Sequence, residues 1–256
     1  NDVQFPFNFE TIQLKLKDFS LRVKFFTNIL KNSRPKRVYI LCYYSFDAMA
    51  IVTAANLLGI KTIEMQHGPQ VDEHLCYGSW SNIPDLGYSV LPRVYWCWDY
   101  FSSKAIDRWS SKNTLYSYII SGNPWINFLK NQNIEYKFAN YILYTLQPSP
   151  LTLEDTFADK LINTIKNTKE KWVLRLHPRQ DVSMSDIEEL LKVNCIIDRV
   201  ILREVSEYPL PIVISNAKVH VTHSSGSTLE ALSYNIPSIV INKIGFDYYK
   251  DLIQNG

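Results

Sequence analysis

Glycine is scarce in this chain, eight in 256 residues, and the glycine-rich phosphate loops are missing. There is no GxxxxGKS/T, so a P-loop is excluded, and no GxGxxG, so dinucleotide binding has no support. A GxSxG nucleophile elbow is absent as well, which weighs against a Ser-His-Asp hydrolase. Cysteine is equally sparse: Cys42, Cys76, Cys97 and Cys195 form no CxxC pair and no even framework. That disfavours a disulfide scaffold or a zinc ribbon and fits a reducing cytosol. Neither charge dominates. With 27 Lys+Arg against 25 Asp+Glu the net charge is +2, too little to drive sequence-nonspecific nucleic-acid binding. No apolar run approaches the ~20 residues of a membrane span, and Asn1 to Glu10 shows no signal-peptide pattern.

What is present is a core-forming composition, 46% hydrophobic, in a length that suits one large domain or two small ones. Aromatics reach 13%, with 16 Tyr and six Trp. These suit sugar-facing surfaces, but core packing is the stronger expectation. Apolar periodicity predicts a helix over Phe9–Asn32, and a basic stretch Arg34–Arg37 then leads into a strand, Val38–Cys42. Phe46–Leu58 reads as a helix closed by Gly59, and Lys61–Met65 as a strand. Strand, helix, glycine, strand in so short a span is a βαβ crossover, hence a parallel sheet. The pattern resumes with strands Val94–Trp98 and Tyr116–Ile120 around a helix Tyr100–Trp109, then a short helix Trp125–Lys130.

A polar stretch, Asn131–Lys137, reads as a linker, dividing the chain into domains 1–135 and 136–256. Beyond it come strands Tyr141–Leu146, Lys171–Leu176, Val200–Leu202, Val219–Thr222 and Ser238–Asn242. Between them lie helices Asp155–Thr168, Ser185–Val193 (a Ser185/Glu188 capping box), Pro211–Asn216 and Ser227–Tyr234. Both halves therefore predict an α/β architecture of two Rossmann-like domains facing a cleft.

In open parallel sheets ligands bind beyond the carboxyl ends of the strands. Three of the five histidines, His67, His177 and His223, fall there, and His74 follows in a loop. His223-Ser-Ser-Gly-Ser-Thr228 runs from a strand into a helix, so Ser224, Ser225, Gly226, Ser227 and Thr228 combine hydroxyls, free amides and a helix dipole on one point. That is an anion site for a phosphate; the plain alternative is a strand-to-helix turn with a serine cap. Glu230, three residues into that helix, would reach a ribose or sugar hydroxyl. His177-Pro178 places an imidazole at a second strand end, with Arg175 and Arg179 beside it as possible phosphate forks. Gln147-Pro-Ser149 follows a third strand. In the first half Gln66-His67-Gly68-Pro69 offers a general base for an acceptor hydroxyl, with Asp72, Glu73 and His74 as other candidates. Metal-ligand spacing is absent: His67 and His74 lie seven apart, and His220 and His223 point to opposite faces of a strand.

These motifs resemble those of GT-B glycosyltransferases. The stretch Tyr43–Pro69, with "AANLLGIKTIEMQHGP", resembles an N-domain segment of bacterial surface-polysaccharide transferases, and its His-Gly is similar to a motif of CDP-glycerol glycerophosphotransferases. "RLHPR" (Arg175–Arg179) resembles the His-Pro motif of bacterial sialyltransferases and Kdo transferases. "THSSGSTLEALSYNIPSIVIN" (Thr222–Asn242) is similar to the donor-phosphate helix of many GT-B enzymes, with Ser224-Ser225 matching a Ser-Ser/Thr motif.

The resemblance implies a glycosyltransferase of cell-surface polysaccharide synthesis that needs neither metal nor other cofactor. Its donor would be a nucleotide sugar, CMP-linked sialic acid or Kdo first, a UDP-sugar or CDP-glycerol next. Its acceptor would be a saccharide or lipid-linked saccharide. It further implies that His177, Ser224 and Ser225 hold the donor phosphate and that His67 acts near the acceptor. The sialyltransferase type carries its base in an acidic-acidic-Gly motif, whereas Asp72-Glu73 is followed here by His74, so the base stays open between His67 and Asp72/Glu73. The expected location is cytoplasmic, with Lys15, Lys17, Lys24, Lys31 and Arg34–Arg37 offering a peripheral contact with the inner membrane. Alternatives are an enzyme of the UDP-GlcNAc 2-epimerase type and a non-catalytic GT-B-like module that binds a glycan or a partner enzyme. For a GT-B enzyme the first domain is short of strands, and the chain reads as a piece of a longer protein or as one with a reduced N-domain.

Overall fold

The computed structural model describes residues 8–78, 80–147, 151–179 and 182–255. The chain divides into two compact units, 1–123 and 124–256, a division that lies ahead of the Asn131–Lys137 stretch.

In the first unit, α1 (Phe9–Ser33) leads into β1 (Arg37–Ile40), α2 (Phe46–Leu57), β2 (Lys61–Met65), β3 (Val94–Cys97), α3 (Tyr100–Ser110) and β4 (Ser117–Ile120). The four strands are parallel in the order β1-β2-β3-β4. Asn8, Ser45 and Asp99 cap the three helices by accepting from the amides of Thr11, Ala48 and Ser102. Gly59 ends the α2 turn at φ +70°, a left-handed conformation that favours glycine. One sheet face packs Val38 against Leu30 of α1 and Ala54 and Ala55 of α2. The other packs Tyr43, Tyr77, Leu91, Tyr95, Ile106, Trp109 and Tyr116. Tyr95 and Tyr116 meet Trp109 edge-on at 5.6 and 5.3 Å, so much of the aromatic excess is core.

The second unit contains α4 (Pro124–Lys130), β5 (Tyr141–Thr145), α5 (Leu153–Thr156), α6 (Asp159–Asn167), β6 (Trp172–Arg175), α7 (Met184–Val193), β7 (Val200–Ile201), α8 (Leu210–Ser215), β8 (Ala217–Thr222), α9 (Ser227–Leu232), β9 (Ser238–Val240) and α10 (Lys243–Asn255). Its sheet is also parallel throughout, in the order β7-β6-β5-β8-β9. Two apolar layers cover it, one around Tyr144, Ile165, Leu174, Ile187 and Leu191, the other around Leu143, Val173, Val213, Ile214 and Ala231.

Two sequence expectations are corrected and one element is added. Asp155–Thr168 is two helices, because Phe157 leaves helical geometry (φ −118°, ψ 50°) to bury its ring beside Tyr144. The α7 capping box is Ser183 with Asp186, since the Asp186 carboxylate takes the Ser183 amide at 3.0 Å while Glu188 pairs with Arg203. Finally, α10 was not anticipated. Among the described residues no helix is long and apolar enough to cross a membrane.

The α10 helix buttresses the segment after β8. Tyr249 donates its hydroxyl to the Ser225 carbonyl at 2.8 Å. A Cβ at Gly245 would stand 1.9 Å from the His223 carbonyl oxygen and 2.4 Å from a Val240 methyl. Backbone cannot yield as a flexible side chain would, so Gly245→Ala should lower stability by about 1–3 kcal/mol. Urea unfolding of the two proteins measures this, and an unchanged midpoint would mean that α10 does not press on this loop.

Candidate functional site

Parallel pairing places the exits of β6, β5 and β8 side by side on one edge of the second sheet, with strands about 4.8 Å apart. The sequence-predicted residues Gln147, His177 and His223–Thr228 are thus brought together; Pro148 and Ser149 lie outside the described residues.

His177 follows β6 and is half-buried. Its Nδ1 accepts the backbone N–H of Arg179 at 3.0 Å, the turn that Pro178 sets up. Burial, then the neighbouring Arg179 charge, push its pKa down. The ring is therefore neutral with its proton on Nε2, a single N–H donor. Arg179 is exposed. Arg175 is not a phosphate fork here: its Nη1 donates to the Val205 and Ser206 carbonyls, tying down the turn after β7. A hollow of about 290 Å³, lined by Leu174, Leu176, His177, Met184 and Leu202 among others, lies beside this exit.

Gln147 joins two strand exits. Its Oε1 accepts both the amide and the hydroxyl of Ser224, at 2.7 and 2.9 Å. Ser225 Oγ takes the Ser227 amide at 3.2 Å, and Gly226 forms the helix cap position of α9. Ser227 turns inward. Its hydroxyl lies 3.0 Å from Thr145 Oγ1 and 3.1 Å from His220 Nε2, and His220 Nδ1 in turn lies 2.9 Å from Ser238 Oγ. Thr228 is buried. Two of the expected hydroxyls thus sit within the fold, and Ser224, Ser225 and Gly226 remain partly exposed.

His223 is buried, with Nε2 2.9 Å from the Tyr144 hydroxyl. Tyr144 donates its own proton to the Thr156 carbonyl at 2.7 Å, so the His223–Tyr144 bond carries the histidine proton. Nδ1 is left a buried acceptor without a partner among the described residues, so neutral His223 has no N–H to offer an anion. Glu230 is mostly covered, and burial raises its carboxyl pKa to about 7.

In the first unit, Gln66 shapes the exit of β2. Its Nε2 donates to Gly68 O (2.9 Å) and Ser102 Oγ (2.8 Å), and its Oε1 accepts the Trp98 amide at 2.6 Å. This buried amide fixes the turn that carries exposed His67, whose Nε2 lies 3.3 Å from the Tyr44 hydroxyl. His74 Nδ1 accepts the Cys76 amide at 3.2 Å, and burial lowers its pKa, so its neutral ring also carries the proton on Nε2. Asp72 forms an ion pair with Arg108 of α3; Glu73 is exposed. Sequence reasoning passed over two residues here. Tyr44 carries no motif, and Glu64 of β2, wholly buried, stands where a central parallel strand calls for apolar residues.

No protein-family profile matches the chain, and no curated protein matches it in sequence. Solved structures do share its fold. A Listeria monocytogenes protein described as a putative UDP-N-acetylglucosamine 2-epimerase superposes with a TM-score of 0.62 at 11% identity, covering 99% of this chain and 68% of that one. The glycosyltransferase of kitacinnamycin gives 0.59 at 14% identity, covering 99% and 70%. Arabidopsis thaliana UGT89C1, solved with UDP-L-rhamnose, gives 0.57 at 12%, covering 99% and 67%. At such identities the likeness establishes the fold, α/β with parallel sheets of the GT-B type.

The buried His220 supplies a stability test of this architecture. Burial drives its pKa from 6.5 down to about 4. Between those values the unfolded chain binds the extra proton, so stability is full above about pH 6.5 and falls as pH drops toward 4, by roughly 3 kcal/mol from this one group. Urea midpoints across that range should show the fall, and His220→Gln should flatten it; an equal acid slope in both would remove His220 from the network.

Proposed function

We propose that the chain is a nucleotide-sugar enzyme, a glycosyltransferase of cell-surface polysaccharide synthesis, with its donor phosphate at the exits of β6, β5 and β8. The observation that carries this is the hydrogen bond from the Arg179 amide to His177 Nδ1. A neutral ring locked by the Arg179 amide keeps one N–H in place for a phosphate oxygen. Exposed Arg179 adds charge, and Ser224, Ser225 and Gly226 line the adjoining exit. Preorganised donors of this kind stabilise the negative charge that grows on the departing phosphate. Glu230 would accept from a ribose or sugar hydroxyl. On the acceptor side His67 takes the hydroxyl proton, a role that Asp72 fits less well because Arg108 already engages its carboxylate. Transfer on this reading uses no metal or other cofactor.

The nucleotide is where motif and fold diverge. The His-Pro and Ser-Ser segments favour a CMP-linked sugar, whereas the structural neighbours include a protein solved with UDP-L-rhamnose. A second reading, an epimerase acting on a UDP-sugar without an acceptor, is favoured by the epimerase-like neighbour to a comparable degree. A thermal-shift series with CMP, CDP, UDP and GDP separates the nucleotides. The matching one should stabilise the protein, by about 2.7 kcal/mol at 100 times its Kd, and His177→Ala should abolish the shift. If no nucleotide stabilises the chain at millimolar concentration, the donor site is wrong. Turnover of UDP-GlcNAc with no acceptor present would establish the epimerase instead.

A lipid-linked acceptor would bring the protein to an anionic bilayer, and α1 carries the means. Lys17, Lys24 and Lys31, seven apart, form one exposed row beside exposed Leu14, Leu21 and Phe25. Co-sedimentation with phosphatidylglycerol vesicles should fall at least several-fold in a Lys17→Glu, Lys24→Glu, Lys31→Glu variant. Equal sedimentation would remove membrane contact from this reading.

A further inference from the structure

The donor and acceptor assignments leave one buried carboxyl unused. Glu64, the residue before the last in β2 and three ahead of His67, has 0% of its surface exposed. Its Oε1 accepts two hydrogen bonds, from the Tyr77 hydroxyl at 2.8 Å and from the Tyr43 amide at 3.2 Å. Its Oε2, equally buried, has no partner among the described residues.

The groups around it come from three elements. Cys42, Tyr43 and Tyr44 lie on the segment after β1, His74, Cys76 and Tyr77 on the loop after β2, and Tyr95 and Cys97 on β3. No Lys or Arg is among them to balance a carboxylate. Burial raises the pKa values of Tyr43, Tyr44, Tyr77, Tyr95, Cys76 and Cys97 and lowers that of His74. A buried carboxylate without a cation keeps its proton instead of its charge. Burial moves Glu64 to about 8, with the bonds from Tyr77 and Tyr43 pulling the other way. Because Oε1 already takes two donors, the acid proton belongs on Oε2.

Two links run from this carboxyl to His67. Tyr43 is followed by Tyr44, whose hydroxyl stands 3.3 Å from His67 Nε2. The Tyr77 ring packs against Tyr44 at 5.9 Å and against His74 at 4.8 Å. Tyr43 reaches back as well, donating its hydroxyl to the Cys76 carbonyl. One carboxyl oxygen thus ties the segment after β1 to the loop that carries Tyr77.

We propose that Glu64 is the positioning residue of the His67 site, an uncharged acid that fixes Tyr43 and Tyr77 so that Tyr44 is held against His67. The proposal rests on reading His67 as the acceptor-side group, but its test needs no substrate. The full chain with isotope-labelled histidine would be titrated by NMR from about pH 6 to 9, beside an infrared titration of carboxyl groups, in wild type, Glu64→Gln and Glu64→Ala. The expected result is a protonated-carboxyl band in wild type at neutral pH that fades near pH 8 and is missing from Glu64→Gln. In step with it, the His67 ring resonances of wild type shift near pH 8 as Glu64 loses its proton. Glu64→Gln keeps the neutral-pH His67 positions without this Glu64-linked shift, and Glu64→Ala displaces them from the start.

The proposal is overturned if no such band belongs to Glu64, if Glu64→Ala leaves His67 as in wild type, or if Glu64→Gln moves it at neutral pH. Should Glu64→Ala not fold, the isosteric Gln variant still decides. Failure of the nucleotide screen would leave these spectra unchanged, so the two readings fail separately.

Discussion

Hydrogen bonding between parallel strands obliges every strand of a unit to end on the same edge, and the chemistry of this protein follows from that constraint. Neither sheet contains an antiparallel pair among the described strands. Within the second unit the polar residues that follow β5, β6 and β8 are therefore gathered without any element having to bend toward them, and within the first unit those that follow β2 share an edge with the exits of β1 and β3. Because helices cover both faces, polar groups accumulate where the backbone leaves the sheet. Gln66 and Gln147 do equivalent work at these exits. Each uses its side-chain amide to satisfy groups that strand geometry no longer reaches, and each thereby sets the shape of a neighbouring turn.

Burial then decides protonation. The histidines with a resolved shift are all pushed toward the neutral form, and each has a ring nitrogen bonded within the fold. In His177 and His74 a backbone amide occupies Nδ1, which turns the ring into a donor at Nε2. In His223 the bond to Tyr144 does the reverse and leaves an acceptor. The same physics holds Glu64 and Glu230 above the usual carboxylate range. On the proposed reading, the neutral donors at His177 and Ser224–Gly226 would hold a phosphate without a large net charge, in keeping with the balance of +2.

Much of this was legible in the sequence. Alternating strands and helices disclosed both parallel sheets, and Lys61–Met65 was bounded to the residue. His177-Pro178 and His223–Thr228 were expected just beyond strand ends, and they follow β6 and β8. What escaped depended on side-chain environment. Nothing in Ser224–Thr228 says that Ser227 faces His220 whereas Ser224 faces Gln147. Arg175 and Arg179 look alike around His177, yet one is tied to two carbonyls and the other is exposed. Phe157 breaks a helix because of where its ring packs. Glu64 left a trace, a charged residue inside a strand that should be apolar, and the alternation of Lys61–Met65 disguised it as a solvent-facing position.

The central claim is that a neutral His177 presents its Nε2–H to the phosphate of a nucleotide. Long-range proton–nitrogen spectra of the histidine rings, recorded while UDP or CMP is added, test it most directly. The account predicts an Nε2–H ring at His177 in the free protein, with the largest ring shifts on nucleotide addition at that residue. A charged or Nδ1–H ring, or nucleotide binding that leaves His177 unmoved, would contradict it.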